Sequence, residues 1–184
     1  LSEILRFPHT DYENNDNLVE LFNFKKRINS GDLLLYSLLI KNQPELAQKF
    51  EKILIKFDDL LTKDLIDRLN SIQFLESSKG TIEKPGELYI KNQINRTCLG
   101  SQSTYVNGTN NELYKKLGSF EYPKSEDIFG YISELASRDQ RPFNAEYLYT
   151  EFVKALQHEG LALNKYLSEP IIWNGENYRS PADS

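Results

Sequence analysis

The stretch Ile72-Gln-Phe-Leu-Glu-Ser-Ser-Lys-Gly-Thr-Ile-Glu-Lys-Pro-Gly-Glu87 decides the fold class. Two short apolar runs, Ile72 to Glu76 and Thr81 to Glu83, flank the turn residues Ser77-Ser78-Lys79-Gly80, which is the pattern of a β-hairpin. Pro85 and Gly86 then end the hairpin with turn chemistry. Near the C-terminus the pattern returns. Pro170-Ile-Ile-Trp173, Asn174-Gly175 and Glu176-Asn-Tyr178 form a second apolar-turn-apolar unit, and Asn-Gly between such runs is a strong hairpin signal. The closing residues Ile82-Glu-Lys-Pro-Gly-Glu87 and Tyr178-Arg-Ser-Pro-Ala-Asp183 share one order: apolar, charged, polar, Pro, small, acidic. The expectation is two divergent repeats, each a hairpin preceded by a pair of amphipathic helices.

Outward from the hairpins the chain reads as helix. Leu46, Phe50, Ile53, Leu54 and Phe57 lie on one stripe behind Pro44, which sits at a helix start. Thr62 to Asn70 is a shorter helix with Leu65, Ile66 and Leu69 inward. Leu33 to Ile40 is apolar on all sides; Asp32 as a cap and the leucine content favour helix over strand. Leu18, Leu21, Phe22 and Ile28 suggest an earlier helix capped by Asp16 or Asn17. In the second half, Asn110 to Leu117 ends at Gly118. Ser125 caps a helix through Ser137, and Asn144 to His158 is followed by Gly160. The expected organisation is an irregular connector over 1–17, a helical unit with the first hairpin over 18–90, a polar loop over 91–109, and a helical unit with the second hairpin over 110–184. The fold class is α+β, helix-dominated, with helix pairs packed on small antiparallel hairpins.

The composition narrows the function classes. The chain has 184 residues, 39% hydrophobic and 12% aromatic, with a net charge of −5. That is enough length for a real core and too many aromatics for intrinsic disorder. Mild acidity argues against nucleic acid, whose partners carry a basic stripe. The one dense basic run, Lys25-Lys26-Arg27, reads as a solvated helix face. No apolar run nears the roughly 20 residues that span a bilayer, so no membrane partner is expected. A single cysteine, Cys98, excludes a disulfide framework and suits a cytoplasmic location. The chain opens on Leu1 and contains no Met, which suggests a segment of a longer polypeptide.

Ile72-Gln-Phe-Leu-Glu76 with Gly80-Thr-Ile-Glu-Lys-Pro-Gly-Glu-Leu-Tyr-Ile90 resembles the segment following the Hsp90-like ATPase module in sacsin-type and NO VEIN-type proteins. Glu112-Leu-Tyr-Lys-Lys-Leu-Gly118, Pro123 and Ser125-Glu-Asp-Ile128 are similar to its continuation, and Trp173 to Asp183 repeats the strand-turn-Pro theme. The resemblance covers about residues 64 to 184. It implies a non-catalytic scaffold, interdomain or client-contacting role. ATP and Mg chemistry would belong to a separate GHKL-type module, whose acidic helix with Asn and Asp-x-Gly-x-Gly loop are both absent from this chain. No cofactor and no ATP-binding residue is therefore carried onto it, and the implied partner is protein.

The residues themselves offer little chemistry, and none is assigned a catalytic, cofactor-binding or metal role. His9 lies in the irregular N-terminus, and His158 at a helix end suits the helix dipole. Asp58, Asp59, Asp64 and Asp67 form an acidic stretch that serves a helix start as well as it would a metal. A small hydrolase or nuclease built on these acids is the enzymatic alternative; a stand-alone defence or signalling interaction module is the other. Cys98 has no sequence-adjacent base to activate it. The motifs at Asn95 and Asn107 match the glycosylation pattern no more often than chance. Tyr147, Tyr149, Phe152, Trp173 and Tyr178 are candidate contact aromatics, with Phe152 and Trp173 favoured for the core. With Leu148 and Phe152 inward, at least one of Tyr147 and Tyr149 is expected to be exposed.

Overall fold

The computed structural model describes residues 28–183 except Asn42 and Gln102. The expected connector, the helix over 18–28, His9 and the Lys25–Arg27 run lie essentially outside these residues. The described chain is α+β and helix-dominated, with two small antiparallel two-stranded sheets. It divides into two compact units, one of residues 28–86 with Glu112–Gly118, the other of residues 87–111 with 119–183.

In the first unit the ambiguous leucine run is a helix, α1 (Ser30–Ile40). Asn29, not Asp32, is its cap. The Asn29 side chain accepts from the Asp32 backbone N–H at 3.1 Å, and the Asp32 carboxylate accepts from the Asn29 N–H at 3.0 Å. This reciprocal capping box satisfies two otherwise orphan donors. Leu33, Tyr36, Ser37 and Ile40 form its buried face. Helix α2 (Pro44–Lys56) starts at Pro44, where a missing N–H costs nothing. Its buried stripe is Ala47, Phe50 and Leu54, so Phe50 and Leu54 hold the centre while Leu46, Ile53 and Phe57 are only half-buried. Helix α3 (Lys63–Leu69) is capped by the Thr62 hydroxyl, which accepts from the Leu65 N–H at 3.4 Å. Strands β1 (Leu75–Glu76) and β2 (Ile82–Glu83) pair antiparallel, Leu75 opposite Glu83. The Ser77 hydroxyl holds the turn by accepting from the Lys79 and Thr81 N–H groups, each at 3.2 Å. Phe50 contacts the rings of Tyr36 at 5.2 Å and Phe74 at 5.4 Å, joining α1, α2 and the hairpin approach in one core.

The second unit corrects the expectation of a polar loop over 91–109. Residues Gln93–Leu99 form a helix, α4, capped by the Asn92 side chain, and Asn95, Cys98 and Leu99 are buried. Its core residue Asn95 is polar, yet its amide nitrogen donates to the carbonyls of Ile90, Phe120 and Glu121. Before α4, Tyr89 forms bridges to Tyr105 and to Phe120. Between the two parts of this unit lies α5 (Asn111–Lys116), most of which belongs to the first unit. Helix α6 (Ser125–Ser137) buries Ile128, Ile132 and Leu135, and α7 (Ala145–His158) buries Leu148, Phe152 and Leu156 behind its Asn144 cap.

Ser125 does not cap α6; it is the first helical residue. Its N–H instead donates to the Glu159 carboxylate at 2.8 Å, and its hydroxyl donates to the same carboxylate. A residue just past α7 thus supplies the negative group that a helix N-terminus favours. The second hairpin, β3 (Ile172–Trp173) with β4 (Tyr178–Arg179), is also present. Its connection spans 174–177 and is not a two-residue Asn-Gly turn. Asn174 accepts from the Glu176 and Asn177 N–H groups, each at 3.0 Å, so its side chain organises a four-residue loop.

The two units share an element order. In each, two long helices and a 3-10 turn precede a hairpin, with α3 inserted between turn and hairpin in the first unit only, and the hairpin ends in a 3-10 turn opening on proline: Pro85–Glu87 and Pro181–Asp183. The register agrees as well. Leu33, Ser37 and Ile40 follow Asn29 at the same spacing at which Ile128, Ile132 and Leu135 follow Lys124.

Candidate functional site

Among the described residues no three His, Cys, Asp or Glu side chains gather as a metal group. Asp58, Asp59, Asp64 and Asp67 are all exposed. Asp58 pairs with Lys116 at 2.8 Å and Asp64 with Arg68 at 3.5 Å, so the acids turn to cations rather than to one another. His158 is exposed in the last turn of α7, on the wall of a cavity of about 420 Å³ shared with Ile94, Tyr122, Glu151, Lys154 and Glu159. Glu151 is already engaged there, accepting from the Lys154 ammonium at 2.8 Å.

Cys98 is fully buried. Burial, with a smaller contribution from the Glu151 charge, pushes its thiol up to about 12 from an ordinary 9.0. The thiol is therefore neutral at pH 7 and a poor nucleophile. The sign of the linkage follows: a raised folded pKa leaves this contribution to stability intact below about pH 9 and erodes it as pH climbs toward 12. A soluble thiol reagent at neutral pH is expected to modify Cys98 only after denaturation. Equal rates in the folded and unfolded chain would contradict its burial.

The contact aromatics are largely structural. Phe152 is buried, and Trp173 is half-buried against the Tyr178 ring at 5.1 Å. Neither Tyr147 nor Tyr149 is exposed, against expectation; both are half-buried against the second core. A tyrosine has an apolar body and a polar tip, so it can lie along the core edge with its hydroxyl at the rim. The Tyr149 hydroxyl accepts from the Trp173 N–H at 2.8 Å, pinning the second hairpin to α7. Asn95 cannot carry a glycan, because its amide is buried among three carbonyls.

What the sequence did not single out is the outer face of α1. Leu35, Leu38 and Leu39 stand at i, i+3 and i+4 and are 44%, 54% and 36% exposed. They lie opposite the buried set Leu33, Tyr36, Ser37 and Ile40. The fold does not require leucine there. At the matching positions of α6 the second unit has Gly130, Ser133 and Glu134. A run apolar on all sides gives no periodic signal, so the face shows only in which residues the fold leaves exposed. Covering it would gain roughly 1 kcal/mol for each half-exposed leucine.

No helix among the described residues is long and apolar enough to cross a membrane. Compared with protein-family models, curated proteins and solved structures, the chain matches none.

Proposed function

We propose that this chain is a non-catalytic protein-contact segment, a scaffold or client-contacting part of a larger Hsp90-like ATPase of the sacsin or NO VEIN kind. The observation that carries the contact role is the leucine face of α1. Three leucines on one helical face, at positions where the sister unit has Gly, Ser and Glu, suit an apolar helix or groove of another protein. The assignment to that family rests on the strand-turn-Pro resemblance. On this reading the partner is another domain of the parent polypeptide or its client, and the location is cytoplasmic. Nucleotide chemistry resides in a separate module. A stand-alone interaction module would use the same face.

The test is site-specific photo-crosslinking from position 38 in the full parent polypeptide. Adducts are expected to map to another domain or to a bound client, and Leu35→Glu with Leu39→Glu should cut their yield about tenfold, the effect of roughly 1.4 kcal/mol. Adducts that form equally well in the double variant would overturn the contact role. Turnover of ATP, nucleic acid or an ester by the purified chain would replace it with an enzymatic one.

A further inference from the structure

The connection between α6 and α7 presents Phe143, 97% exposed, on a backbone held from several directions. The Asp139 N–H donates to Ala136 O at 3.1 Å and the Gln140 N–H to Leu135 O at 2.8 Å. The Tyr178 hydroxyl, from the second hairpin, donates to Gln140 O at 2.8 Å. Pro142 is buried, and the Asn144 side chain caps α7 by accepting from the Tyr147 N–H at 3.1 Å. Asp139 takes a left-handed φ of 50° within this loop, a conformation that Asp adopts more readily than most non-glycine residues. An aromatic ring presented on a fixed loop loses little freedom on binding. Arg141, exposed two residues before it, has no ion pair among the described residues.

Beside this knob lies a matching hole. A cavity of about 410 Å³ opens among Ala136, Asp139, Glu169, Pro170, Ile171 and Tyr178. Its lining is about half polar, with Ser133, Ser137 and Asn177 beside the apolar Pro170, Ile171 and Tyr178 ring, and it carries two exposed carboxylates, Asp139 and Glu169. Phe143 suits the apolar part, and Arg141 suits the two carboxylates. Phe143 is 97% exposed and does not line the cavity of its own copy. A two-fold arrangement lets each copy fill the other's, which is the usual geometry of a self-complementary patch.

We infer that two copies of this chain associate through this face, Phe143 and Arg141 of each entering the Asp139–Glu169 cavity of the other. The interface is small, so the dimer is weak and concentration-dependent. It is independent of the α1 leucine face, and either can fail alone.

Sedimentation equilibrium over a concentration series is the test. The weight-average mass should rise from 21.4 kDa toward twice that value. Phe143→Ala should weaken self-association at least about tenfold, as truncation of an interface anchor does. Arg141→Glu and Glu169→Arg should each weaken it, and the two together should restore it, because the swap rebuilds the charge pair with reversed sense. All these residues are exposed, so unchanged circular dichroism and thermal midpoint will show that folding is intact. A chain that stays monomeric throughout, or self-association that Phe143→Ala leaves unchanged, overturns the inference. The same holds if cross-links from position 143 reach only a different protein or a lipid vesicle.

Discussion

Gly100→Ala is expected to cost the second unit about 2–6 kcal/mol. Gly100 follows α4 with φ 62° and ψ −158°, a region that only glycine occupies freely and that costs other residues roughly 1–3 kcal/mol. Space is lacking as well. A Cβ on Gly100 would sit 2.5 Å from Tyr131 Cε2 and 3.0 Å from Cζ. Relieving that overlap means moving a ring packed against the core, typically about 1–3 kcal/mol for an overpacked site. The position is also tied by the Tyr105 hydroxyl, which donates to Gly100 O at 2.6 Å, so the backbone cannot simply shift away. Gly160→Ala is the control: its φ is 67°, yet nothing lies within 4 Å of the added carbon. It should cost only the backbone term, about 1–2 kcal/mol. Denaturant unfolding of both variants, with Gly100→Ala in a Tyr131→Ala background, separates ring overlap from backbone strain. If Gly100→Ala costs no more than Gly160→Ala, the Tyr131 contact contributes nothing.

How far the sequence foretold this architecture depends on which residues carried the signal. Ser77 to Gly80 announced the first hairpin because their side chains and the φ of 78° at Gly80 make the turn locally. Pro44, Thr62 and Asn144 marked helix starts for the same reason: the capping chemistry lies within one turn. Misreadings came where a side chain works over distance. Asn95 looks like loop material, and only the carbonyls of Phe120 and Glu121, some 25 residues on, turn it into a core residue. Ser125 looks like a cap, but Glu159 does the capping. Asn174 looks like half of a tight turn and instead organises four residues. The candidate contact face escaped for a different reason. Leucines at 35, 38 and 39 are indistinguishable from core leucines until it is known which side α2 and α3 occupy.

Phe50→Ala is expected to cost the first unit about 3–5 kcal/mol, the range for removing a fully buried aromatic ring. Phe50 has no exposed surface and touches Tyr36 of α1 and, edge-on, Phe74 at the entry to β1. Its removal leaves a void bounded by three separate elements. Because each is fixed by its own caps and turn, collapse into the void is limited and the cavity penalty remains. A domain has only about 5–15 kcal/mol in reserve, so this one change consumes a large part of it. Ile55, five residues along the same helix and 44% exposed, is the matched control and should cost under about 1 kcal/mol on truncation to Ala. Native-state amide exchange at Leu33 and Leu54 reads the first unit directly. Protection there should fall by two to three and a half decades in Phe50→Ala, since every 1.4 kcal/mol is a factor of ten. Phe50→Leu should recover much of the loss by refilling the volume without the ring contacts. Should Phe50→Ala cost no more than Ile55→Ala, α1, α2 and the first hairpin do not share one core. The matched register of Leu33, Ser37 and Ile40 with Ile128, Ile132 and Leu135 would then lose its physical basis.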